Sequence, residues 1–83
     1  MQIETFDDAV EVEAHFGQHG MRPVWFAWQG RRRTIRQVTS AWNERDGLLV
    51  HRCFAVTDEE NAYELRFDVR ALRWSLTRVA LTG

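Results

Sequence analysis

Apolar and polar side chains alternate with a period of two along most of this chain. In residues 9–16, Val10, Val12, Ala14 and Phe16 fall on one side and Glu11, Glu13 and His15 on the other, the pattern of a half-buried strand. Tyr63, Leu65 and Phe67 alternate in the same way with Glu64, Arg66 and Asp68, and Leu72, Trp74 and Leu76 with Arg73, Ser75 and Thr77. Val79 and Leu81 then fall on the Arg73 side, which predicts a late bend in that strand. Residues 48–57 read as a further strand with Leu48, Val50, Phe54 and Val56 on its more apolar side. No segment sustains a helical period.

Residues 24–38 organise the rest. They read as a β-hairpin: an aromatic strand, a turn at Gly30, and an arginine-studded return. A type II′ turn places glycine first of its two central residues, which centres the turn on Gly30 and Arg31. Phe26 then faces Ile35 and Trp25 faces Arg36, whereas centring on Gln29 and Gly30 sets Phe26 against Arg33. Cross-strand apolar pairs are worth roughly 0.2–1 kcal/mol over alanine pairs, so the first register is expected. It puts Val24, Phe26, Trp28 and Ile35 on the core side and Trp25, Ala27, Thr34 and Arg36 opposite. Ile35 and Val38 cannot share a face of a regular strand. A β-bulge near Arg36 and Gln37 is expected to return Val38, Ser40 and Trp42 to the core; the alternative is a sheet apolar on both faces.

Turn chemistry punctuates these strands: residues 17–20 with two glycines, residues 43–47 ending in Asp-Gly, residues 58–61, and residues 69–71. Pro23 is expected at the start of its strand. Ile3 and Phe6 fit either a short extra strand or a turn. The expectation is an all-β domain spanning residues 1–83, with a core at roughly 9–81. About six short strands form one antiparallel meander, curled into a strongly curved sheet or small barrel.

A chain of 83 residues has little volume for a core, and four tryptophans and five phenylalanines compensate. The net charge of −1 argues against non-specific attraction to nucleic acid or an anionic membrane. No apolar run approaches the ~18 residues of a membrane helix. The single cysteine excludes an intramolecular disulfide, the acidic first residues lack a signal-peptide layout, and a cytoplasmic protein is expected. All eleven basic residues are arginines, whose forks bind carboxylate or phosphate bidentately and stack on rings. The charge is banded: residues 1–13 carry five acids and no base, residues 14–53 seven arginines against Glu44 and Asp46, and residues 54–70 five acids and two arginines. Acidic and basic strands set side by side would neutralise one another.

The succession Trp28-x-Gly30-Arg31, Val38, Trp42, Tyr63-Glu64-Leu65 with Asp68, and Arg73-Trp74-x-Leu76-x-Arg78 resembles a small domain family of GC-rich bacteria. The likeness spans roughly residues 10–80. It implies a shared β fold, and a setting near error-prone DNA polymerases; it implies no reaction and no site, because that family's function is unknown.

Candidate chemistry is sparse. His15 and His19 have the i, i+4 spacing of a helical metal pair, but the strand pattern and flanking glycines remove that geometry, so no metal or cofactor is expected. His51 and Cys53 share a strand face and are the only local nucleophile–base pair; an enzyme would need both to face a pocket, and none is expected. Asp58, Glu59 and Glu60 read as a solvated turn. The serious candidate is the cluster Trp25, Arg31, Arg32, Arg33 and Arg36. Arginines around an exposed ring suit an acidic protein partner, a second copy of the chain, or single-stranded nucleic acid, the last with a link to DNA damage tolerance. Alternatively the arginines pair with the domain's own acids and Trp25 is covered. The reading favoured is a non-enzymatic module that binds protein or itself, with nucleic acid the alternative and no membrane role. Exposure of Trp25 and Trp42 decides how much of an aromatic face exists.

Overall fold

The computed structural model describes residues 2–81, about four-fifths of them in strands. They are β1 Gln2–Gly17, β2 Gly20–Trp28, β3 Arg31–Thr34, β4 Gln37–Asp46, β5 Leu49–Thr57, β6 Asn61–Asp68 and β7 Arg73–Leu81. All seven form one antiparallel sheet in the order β3-β2-β1-β7-β6-β5-β4. The domain is thus an all-β meander whose first and last strands meet mid-sheet; it is curved but not closed into a barrel.

There are seven strands where about six were expected because residues 31–46 pass along the fold once but change partner. The first part pairs with β2 and the second with β5. The switch falls at Ile35 and Arg36. The Ile35 N–H donates to the Val24 carbonyl at 3.0 Å, and the next amide, that of Arg36, donates to the Thr57 carbonyl at 2.7 Å. Successive amides of an extended chain point to opposite sides; here the two sides are opposite edges of one sheet, brought together by its curl.

That curl makes the core. Phe26 on β2 and Tyr63 on β6 are not neighbours in the sheet, yet their rings meet edge-on with centroids 5.0 Å apart. Around them Phe54, Val56, Leu65, Leu76 and Val79 are buried, and Phe6, Val10, Val12, Met21, Trp28, Ile35, Val38, Trp74 and Leu81 pack against the cluster. The late bend expected near Val79 is a bulge: Leu65 faces Leu76 while Glu64 faces Arg78, so Thr77 is left over and Val79 and Leu81 turn inward.

The hairpin departs from the expected register. Phe26 faces Arg33 and Trp25 faces Thr34, with Gln29 and Gly30 in the turn at φ 52° and 72°. Two positive φ values define a type I′ turn, whose twist matches the strands it joins. The sides of the strands survive, because partners move by two residues, but Phe26 gains a guanidinium as its partner. The expected bulge near Arg36 and Gln37 is likewise corrected. The break at Ile35 and Arg36 returns Val38 to the core, and a bulge at Thr39 follows. Trp42 then lies opposite Cys53 rather than in the main cluster, so the sheet carries some apolar surface on its second face as well. Pro23 sits inside β2, tolerated because that half of β2 pairs only with β1. Leu48 and Leu72, expected in strands, lie in turns.

Two substitutions test this account. Leu76→Ala, at a fully buried position, is expected to cost about 2–5 kcal/mol in urea unfolding. Gln29→Asn, better suited to left-handed backbone, is expected to raise stability by roughly 0.5–1 kcal/mol; a loss would contradict the I′ turn.

Candidate functional site

The break at Ile35 and Arg36 leaves a notch on either side of the junction. On one side β3 approaches the β5–β6 turn without backbone pairing, leaving a cleft of about 460 Å³. Arg31, Arg32, Arg33 and Arg36 form one lip and Asp58, Glu59 and Glu60 the other. The basic and acidic bands of the sequence therefore meet face to face.

The five expected site residues divide between surfaces. Arg33 turns inward: its guanidinium lies 4.9 Å from the Trp28 ring centre and 5.8 Å from that of Tyr63, and Nη1 donates to the Tyr63 hydroxyl at 3.2 Å. Arg36 pairs with Glu59 across the cleft. Arg32 lies on the other face, 4.2 Å over the Trp25 ring. Trp25 is half-buried, and its indole N–H donates to Glu13 on β1 at 2.8 Å. Arg31 is exposed at the turn. Trp42 is also half-buried and donates to Glu44 at 3.3 Å. The arrangement is chiefly the one in which the arginines meet the domain's own groups. Trp25 is not an open platform, since a guanidinium already stacks on it.

The acidic turn is structured rather than merely solvated. Asp58 Oδ1 accepts from the backbone N–H groups of Glu60 and Asn61, both at 2.7 Å, and Oδ2 accepts from the Tyr63 hydroxyl at 2.8 Å. Burial pushes the Asp58 carboxyl up, but those two backbone donors, the Tyr63 hydroxyl and the Arg33 charge outweigh it and hold the group below its ordinary value. Burial raises the Tyr63 phenol, with Asp58 acting in the same direction. The relay Arg33–Tyr63–Asp58 thus bridges the notch. Sequence reasoning missed Tyr63 and Asp58 as its members, although a tyrosine in an apolar stripe and an aspartate opening a turn are both groups that seek polar partners.

His51 and Cys53 do share a face, as their spacing requires. The His51 ring lies 3.9 Å from Asp68 Oδ2, while Cys53 is buried between its cross-strand partners Trp42 and Arg66. Burial, reinforced by Glu44, pushes its thiol up to about 11, the reverse of an activated nucleophile. Among the described residues no three ligating side chains converge as a metal site, and no helix is long and apolar enough to cross a membrane.

A second feature lies where sequence patterning predicted two strands to begin, at Leu48 and Leu72. The β4–β5 and β6–β7 turns sit at the same end of the sheet and carry exposed aliphatic side chains. Leu48 is 92% exposed, Leu72 73% and Val69 49%, beside Leu49. Leu72 is also held at φ 57°, a left-handed backbone that leucine rarely adopts. Asp68 fixes that turn by accepting from the N–H groups of Arg70 and Ala71 at 2.9 and 3.0 Å.

Comparison with protein-family models, curated proteins and solved structures gives no match to this chain.

Tyr63→Phe is expected to cost about 1–2 kcal/mol, because Asp58 loses a donor inside a partly buried cluster. Asp58 titrates lower in the folded chain than in the unfolded one, so its contribution is complete above its ordinary value of ~3.9 and fades as pH falls through the lowered folded value. Asp58→Asn is therefore expected to flatten the loss of thermal stability below about pH 4; an unchanged acid slope would contradict the relay.

Proposed function

We propose that this domain is a protein-binding module that acts through the apolar rim formed by Leu48, Leu49, Val69 and Leu72, with a second copy of itself as the partner. One observation carries the reading: Leu72 keeps a strained backbone conformation while leaving most of its side chain in water. Each is unfavourable alone, and strained backbone concentrates where something is bound. The rim also complements itself. Asp46 borders the β4–β5 turn, whereas Arg70 and Arg73 border the β6–β7 turn. A twofold axis setting one turn against the other would pair charge as well as apolar surface.

The domain's edges support the same class of activity, since β4 pairs only with β5 and presents an open strand edge. Single-stranded nucleic acid is the second reading, favoured by the exposed Arg31 and Arg32 at the hairpin tip. It requires Arg32 to leave Trp25 so that a base can take its place.

Sedimentation equilibrium tests the first reading. The domain is expected to associate in a concentration-dependent way with little sensitivity to salt, and Leu48→Asp to weaken association at least tenfold. Leu72→Gly separates binding from folding: it relieves the left-handed strain, so thermal stability holds or rises while association falls. A monomer at all concentrations overturns the reading. Steep salt-dependent binding of oligothymidylate, lost on Arg31→Ala and Arg32→Ala, would support nucleic acid instead.

A further inference from the structure

On the other side of the Ile35–Arg36 junction, the half of β2 that does not pair with β3 and the start of β4 diverge around a second notch of about 310 Å³. We infer that this notch accepts an extended segment of another protein, alternating apolar and acidic residues, which adds as a strand between β2 and β4. This surface is separate from the rim proposed above and does not depend on it.

Three observations converge. First, both walls are strand edges: residues 20–23 of β2 pair only with β1, and β4 pairs only with β5. Their outward N–H and C=O groups are those an added strand would use. Second, the notch has an apolar floor and a basic margin. Val24, Ile35 and Val38 are half-buried in it, whereas Arg22 and Arg36 are exposed at its lips. Side chains of a strand point alternately to two faces, so an occupant matching this lining alternates apolar residues toward the floor with acids toward the arginines.

Third, charge distinguishes this notch from its neighbour. The cleft beyond β3 has the acidic turn of Asp58, Glu59 and Glu60 as its second lip and is neutralised from within. The notch between β2 and β4 is lined by two arginines, of which Arg36 already meets Glu59 across the junction while Arg22 has no acid beside it in the lining. None of its lining residues is acidic, so a charge complementary to Arg22 must arrive with the occupant. A volume near 300 Å³ is at the small end for ligand pockets, fitting a short stretch of chain continued along the β4 edge.

Backbone amide NMR of the intact domain, titrated with acetyl-(Val-Glu)4-amide, tests the inference. Shifts are expected at residues 20–24 and 37–42, with slowed amide exchange along β4. The same peptide N-methylated at alternate residues should not bind. Arg22→Glu, at an exposed position, should weaken binding about tenfold without changing thermal stability. Val38→Glu should abolish it; should that variant unfold, Arg22→Glu and the N-methylated peptide carry the test alone. Equal binding of acetyl-(Val-Lys)4-amide, or of octathymidylate at the same residues, overturns the inference. So does an absence of shifts there, or shifts confined to residues 46–49 and 69–72; that last outcome leaves the rim reading standing.

Discussion

A single sheet has two faces, and the described residues form no second layer with which to cover either. Its apolar face can leave water only by being rolled against itself, and everything else follows from how that roll ends. Phe26 reaches Tyr63 across the fold because the sheet bends until β2 overhangs β6. The bend then brings its two edges together where the chain passes from one to the other. At Ile35 and Arg36, two successive amides serve both edges. Past that point the strands part, and the seam must be filled by side chains or left open.

The two halves of the seam meet different fates. On the β3 side, Arg33 lies against Trp28 and Tyr63, and the hydrogen-bond relay through Tyr63 to Asp58 crosses the opening. Arginine suits this place because its planar fork stacks on rings while its nitrogens reach polar partners. The residues that look most like a ligand site in the sequence are in large part the closure of the fold. Arg36 and Glu59, both exposed, add little energy on their own but keep the acidic turn against the basic lip. On the β2 and β4 side the lining holds no acid, and Arg22 is left without one beside it. Elsewhere in the sheet Arg78 meets Glu64 across adjacent strands, and Arg66 of β6 reaches Asp7 of β1 past the intervening β7.

Much of the fold was legible in advance because alternation has a period of two and a sheet has two faces. The inward residues of β6 and β7, the side assignments of Val24, Phe26 and Trp28, and the late bend before Val79 all follow from that match. The candidate site was legible only in part. The five residues named from the sequence lie near the seam, but Trp25 and Arg32 ended on one face and Arg33 on the other. Leu48 and Leu72 were read as strand residues because alternation cannot show where a strand stops. Tyr63 was missed because its partner Arg33 lies thirty positions away, a contact no local pattern encodes, and Asp58, five residues from Tyr63, joins the relay only through it.

The amino-acid sequence by itself determined which side of each strand is apolar, where the chain turns, and that charge lies in bands. Those properties depend on neighbours within a few residues. Only the tertiary structure decided the hairpin register, the switch of partners at Ile35, and the pairing of arginine with tyrosine and acid across the seam. A register that sets Phe26 against Arg33 is unfavourable within an isolated hairpin. It becomes favourable because the guanidinium lies over Trp28 of the hairpin itself and, in the curled sheet, also reaches the ring and hydroxyl of Tyr63 on β6.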